Sequence, residues 1–150
     1  MKKTCMALII GGAATLSLNT TASPPDDAKV DYEVKVEAAT IDHKQAREKC
    51  DEFAGNAKDV CLEEAKAALA RTKALAEAAY ENTPQARTEA NMAIADADYA
   101  VAKAKCEAKD AAQKELCLKQ AGSARSKAEA KASEEKKPNN KQLTSNGKSH

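Results

Sequence analysis

The stretch AREKCDEFAGNAKDVCLEEAKA, residues 46–67, places two cysteines eleven positions apart with Gly55-Asn56 midway between them. On one continuous helix that separation is about 16 Å of rise, whereas a disulfide needs Cα atoms within roughly 7 Å of each other. A bond between Cys50 and Cys61 therefore requires the chain to reverse at the Gly-Asn pair. The expected result is a helical hairpin whose two cysteines face each other below the turn. A second copy, AKAKCEAKDAAQKELCLKQAGS, occupies residues 102–123 and repeats the C-x10-C spacing at Cys106 and Cys117. Both copies share a Lys before the first Cys, a Lys-acidic pair, an aliphatic residue before the second Cys and a Leu after it. Ala111-Ala112 replaces Gly-Asn in the second copy, leaving Asp110 as the main local support for its reversal.

Outward from these blocks, residues 38–131 are dominated by Ala, Lys, Glu, Arg and Asp, mostly strong helix formers, with Pro84 as the only proline. Helix boundaries are marked by turn and cap residues. Gly55-Asn56 suits a C-terminus followed by an N-cap, with Asp59 completing a capping box. Thr83-Pro84 reads as an N-cap followed by proline at the first helical position, and Asp110 with Gln113 has capping-box spacing. The expectation is an all-α domain over 38–132, with helices near 38–54, 57–82, 84–108 and 111–132. These form disulfide-clamped hairpins in an extended or antiparallel bundle, a coiled-coil-like composition. The apolar stripes are thin: Leu62, Ala65, Leu69, Thr72 and Ala76 in the second helix, and Met92, Ala95, Tyr99, Ala102 and Cys106 in the third. At roughly 25 cal/mol per Å² of apolar surface, alanine contacts bury little, so the expected role of Cys50, Cys61, Cys106 and Cys117 is to staple a core that is otherwise poor.

The flanks read differently. Residues 23–37 are expected to be a flexible leader, with SPPDDAK mobile and VDYEVKVE either an extended arm or an irregular helix start, because its apolar residues alternate with period two. From Ser133 to His150 no periodic apolar residues remain, and a disordered tail is expected.

The N-terminus addresses compartment. Lys2 and Lys3 precede an uncharged apolar run, Met6–Leu18, and Thr20-Thr21-Ala22 supplies small residues for cleavage. This is the pattern of a secretory signal peptide over residues 1–22, too short for a spanning helix. Cys5 lacks the surroundings of a lipid-anchor site and leaves with the signal. No second apolar stretch follows, so no membrane insertion of the mature chain is expected. Of five cysteines four remain, an even number in an exported chain, which favours disulfides. Loss of Lys2 and Lys3 takes the formal charge from +1 to −1. That balance argues against nucleic acid as a partner, and with no Trp and a single Phe the stacking platforms of such proteins are missing.

The paired blocks KCDEFAGNAKDVCLEEAKA and ADADYAVAKAKCEAK resemble, over roughly residues 38–132, a group of small exported Ala/Lys-rich proteins of Gram-negative bacteria, sometimes labelled TolA-like. The resemblance implies a helical, periplasmic protein and carries over no catalytic residues.

Parts for chemistry are scarce. His43 and His150 are the only histidines, and His43 is expected to be an exposed helical residue. Only Gly55, Gly122 and Gly147 follow the signal, so there is no glycine-rich phosphate cradle. Glu63-Glu64 and Glu134-Glu135 read as solvated faces, and C-x10-C is not the C-x-x-C of thiol redox enzymes. No enzyme activity and no cofactor are expected. The function expected is that of a non-enzymatic periplasmic structural or interaction protein, envelope- or stress-related, whose partner is an envelope protein or a second copy. The alternative is a metal- or redox-responsive module: if the chain folds back at Pro84, both tips lie at one end and four sulfurs can meet, although zinc sites draw on shorter Cys spacings.

Overall fold

A computed structural model describes residues 25–135, with side chains from Asp27 onward. The chain forms four helices: α1 Pro25–Cys50, α2 Gly55–Glu81, α3 Pro84–Glu107 and α4 Ala111–Glu135. The expected signal peptide (1–22) and the tail beyond Glu135 lie outside the described residues.

The local signals explain most of the boundaries. Thr83 is the α3 N-cap, its hydroxyl accepting from Ala86 N at 3.0 Å, and Pro84 follows at the first position. Asp110 Oδ1 accepts from Gln113 N at 3.0 Å at the start of α4. Asn82 ends α2 in the left-handed region (φ 48°), its N–H reaching Ala78 O at 3.0 Å, a role glycine often fills.

Four expectations need correction. Residues 25–37 are not a leader: α1 begins at Pro25. The alternation in VDYEVKVE also fits the helical period, since Tyr32, Val36, Ala39, His43, Ala46 and Cys50 recur at steps of three and four. Exposed i,i+4 pairs, Lys29–Glu33 and Lys35–Asp31, reinforce the helix. At the first turn, α1 stops at Cys50 rather than residue 54, and Asp51, Glu52 and Phe53 close it with bonds to Glu48, Lys49 and Cys50 carbonyls at 3.1–3.2 Å. Asn56 is not the N-cap of α2. The helix starts at Gly55, whose φ of +56° suits glycine, and Ala54 stands at the cap position without a side-chain bond. The C-terminal boundary also moves, because Ser133–Glu135 belong to α4.

Each helix touches only its neighbours in the chain: α1 meets α2, α2 meets α3, and α3 meets α4. No contact joins α1 to α4, so among the described residues the helices form an open antiparallel array rather than a closed bundle. Each inner helix consequently buries two stripes. On α3, Ala95 and Cys106 belong to the stripe expected from the sequence. Thr88, on the same side, shares its hydroxyl between Pro84 O at 3.0 Å and Ala132 O at 3.3 Å. A second stripe, with Ala86, Ala90 and Ala104 buried, faces α2. On α2, Ala65 and Ala76 continue the Cys61 stripe toward α1, while Ala78 and Ala74 face α3. Among the described residues, apart from Thr88 and the two cysteines, every buried residue is alanine. Small side chains let helices approach closely, yet each contributes little transfer free energy.

The two hairpins correspond position by position. With Cys50 on Cys106 and Cys61 on Cys117, a shift of 56 positions, buried Ala39 falls on buried Ala95 and buried Ala76 on buried Ala132. The repeat thus extends well beyond residues 46–67 and 102–123 to the full helical pairs.

Candidate functional site

Because the helices alternate in direction, the α1–α2 and α3–α4 turns lie at the same end of the array. This end gathers most of the specific chemistry. Cys50 is bonded to Cys61 with Cα atoms 5.6 Å apart, and Cys106 to Cys117 with 5.7 Å. Cys50 and Cys106 are fully buried; Cys61 and Cys117 are half-buried. The second hairpin therefore forms without Gly-Asn. Each disulfide joins the end of one helix, at Cys50 or Cys106, to a residue well inside the next, Cys61 or Cys117, and so ties an outer helix to an inner one.

Each turn is also bridged by an ion pair. Lys58 Nζ lies 2.9 Å from Asp51 Oδ1 across the first turn, and Lys114 pairs with Glu107 across the second. These are the lysines of the repeated Lys-acidic dipeptides, so the repeat is explained by the lysine reaching back across the turn. The hydrogen bond and charge of Lys58, with a further contribution from Arg47, hold the exposed Asp51 carboxyl below its ordinary value. The two tips are joined by Asn56, whose Nδ2 donates to Ala104 O at 2.8 Å. The Asn of the Gly-Asn pair thus links one hairpin to the other instead of capping its own helix.

Above the tips, charged pairs span neighbouring helices: Lys105–Glu64 at 2.7 Å and Arg71–Asp98 at 2.6 Å between α2 and α3, and Arg125–Asp96 at 2.6 Å between α3 and α4. Arg125 also lies over the Tyr99 ring, 5.4 Å from its centroid, and Tyr32 stacks on Tyr80 at 5.4 Å between α1 and α2. None of these cross-helix contacts is marked by local spacing in the sequence.

Two shallow grooves run along the array on the side where Leu62 emerges. One, of about 540 Å³, lies between α2 and α3 with Leu62 and Tyr99 as its apolar lining and Glu63, Lys66 and Lys103 at its rim. The other, of about 490 Å³, lies between α1 and α2 and includes His43, Lys44 and Arg47. His43 is half-buried rather than exposed as expected, and its Nε2 is shielded with no hydrogen-bond partner. Thr40, one turn before it, turns its hydroxyl back to Val36 O at 2.7 Å. The grooves mix both signs of charge and are open, a surface suited to contact with another chain more than to enclosing a small molecule.

Among the described residues, no group of three or more His, Cys, Asp or Glu is placed to hold a metal ion, and no helix is long and apolar enough to cross a membrane. Comparison with known protein families, curated proteins and solved structures finds no match to this chain.

Proposed function

We propose that the chain is a non-enzymatic structural or interaction protein of the periplasm, exported by its N-terminal segment and held in shape by two disulfides. The observation that carries this reading is the pairing of two local disulfides with a core made of alanine. Such a core needs covalent staples, and staples of this kind persist in oxidising compartments. The signal-like residues 1–22 supply the route of export. An open array exposes both broad sides and both outer helices, which gives a small protein an unusually large surface for contact per residue.

The test is release of the protein by osmotic shock, followed by intact-mass measurement and thiol counting. The reading expects a chain beginning at Ser23, without lipid, and with no free thiol among Cys50, Cys61, Cys106 and Cys117. Free thiols, or zinc held by them, would replace it with the metal- or redox-responsive reading. Retention of Cys5 in the mature chain would remove the export argument.

A further inference from the structure

The outer side of α1 carries Val30, Val34 and Ile41, which are 57%, 59% and 51% exposed although a helix of this composition has few large apolar residues to spare. They lie diametrically opposite the Tyr32–Cys50 stripe that packs on α2. The internal repeat identifies what this side resembles. Shifted by 56 positions, Val30 and Val34 fall on Ala86 and Ala90, both only 4% exposed, and Ile41 falls on Ala97. Ala86 and Ala90 are the α3 residues that pack on α2. The outer side of α1 is therefore the counterpart of the surface by which the second hairpin docks onto the first.

The same shift locates the complementary surface. The α3-facing stripe of α2, Val60, Ala67, Arg71 and Ala74, corresponds on α4 to Leu116, Ser123, Lys127 and Ala130, all exposed, with Leu116 at 59%. Charges correspond as well. The Arg71–Asp98 pair of the internal interface (2.6 Å) maps onto Lys127 and Asp42, which keeps both signs. The Lys105–Glu64 pair (2.7 Å) maps onto Lys49 and Gln120, whose side-chain carbonyl can still accept. Lys127, Asp42 and Lys49 have no ion-pair partner among the described residues.

From this correspondence we propose that the chain associates head to tail, α1 of one copy docking on α4 of the next as α3 docks on α2 within one copy. The contact is heterologous, so it does not close on itself in a dimer and lets the array grow. Repeat arrays that end in solution carry polar outer faces on their terminal units, whereas α1 sets Val30, Val34 and Ile41 among the charges of its outer side. Three departures make the intermolecular contact weaker than the internal one. Glu134 stands where Ala78 packs, opposite the position of Val30, Ala112 stands where Asn56 reaches Ala104 O, and Glu48 stands where Ala104 itself is buried. Association is accordingly concentration-dependent rather than permanent. This names the partner for the interaction role proposed above and rests on that role.

Sedimentation velocity on the oxidised, exported protein over a wide concentration range tests the proposal. The average size is expected to rise past a dimer without a plateau. Val34→Glu and Leu116→Glu, both on exposed helix positions, should each weaken association roughly tenfold or more, since each places a charge in a small apolar contact. Asp42→Lys and Lys127→Asp should each weaken it roughly fivefold, and an equimolar mixture of the two variants should recover it, because opposite charges then meet at every contact. Helical circular dichroism of each variant confirms that the fold is unchanged. A monomer at every concentration would overturn the proposal. So would a closed dimer lost with Val34→Glu but indifferent to Leu116→Glu and Lys127→Asp, which means that two α1 helices pair with each other. Either result, with no free thiols in the exported protein, sinks the head-to-tail contact and leaves the structural role standing.

Discussion

Replacing Cys50 and Cys61 together by alanine removes one staple while leaving helix propensity, caps and the α2–α3 interface intact. Alanine is preferable to serine because Cys50 is fully buried, and a hydroxyl there would add the separate cost of an unpaired polar group. The disulfide closes a loop of twelve residues, counting both cysteines, with a sequence separation of 11. In the chain-entropy treatment that loop is worth about 3 kcal/mol. For a unit of about 110 residues, an unfolding entropy near 2.1 cal/mol/K per residue converts this into a fall of roughly 12 °C in Tm. Since α1 touches only α2, nothing else holds the outer helix if that pairing loosens. The assay is thermal unfolding followed by far-UV circular dichroism, wild type against variant under oxidising conditions. Helicity at low temperature should be largely retained and the midpoint should fall. A fall of less than roughly 3 °C, well below the value expected from loop closure, would mean that the alanine stripes hold the array without the staple.

Thr83→Ala removes the only side-chain cap at the start of α3 and should cost about 1 kcal/mol, or about 4 °C in Tm, as read by the same melt. Ala90→Leu forces a larger side chain into the α2–α3 interface, where Ala90 is buried; denaturant unfolding should show a loss of about 1–3 kcal/mol, whereas Ala79→Leu on an exposed position should stay within about 0.5 kcal/mol. Asp51 titrates below its ordinary value of 3.8 because of Lys58, so its small stabilising effect is present above that value and lost as pH falls through the lowered one. Carboxyl NMR titration of the folded protein should show the lowered midpoint, and Lys58→Gln should return it toward 3.8; a midpoint unmoved by Lys58→Gln would show that the pair does not form.

The elements that the sequence made legible are those whose signals are local. Cys50 and Cys61 are equally spaced in sequence from Gly55-Asn56, and Thr83-Pro84 and Asp110 mark helix starts by chemistry confined to three or four residues. The start of α1 was not legible, because Val30, Tyr32, Val34 and Val36 alternate with period two, whereas in the helix Tyr32 and Val36 fall on the α2-facing side and Val30 and Val34 on the opposite one. The role of Asn56 was hidden for another reason: its acceptor, Ala104 O, lies 48 positions away. The second stripe of α3 escaped because alanine carries no directional signal. Ala86 and Ala90 are buried while Ala79 and Ala93, of the same hydropathy, are exposed. The outer stripe of α1 is marked only by the alignment of the hairpins through their disulfides, since the repeat is strong around the cysteines and along the helices survives mostly at alanines, such as Ala39/Ala95 and Ala76/Ala132, with Asp42/Asp98 and Glu33/Glu89.

Whether two local disulfides hold two antiparallel hairpins is read out by peptide mapping of the protein released from the periplasm, without reduction. One peptide pair should join Cys50 to Cys61 and another Cys106 to Cys117. A peptide joining a cysteine of the first block to one of the second, or all four cysteines as free thiols, would contradict this pairing.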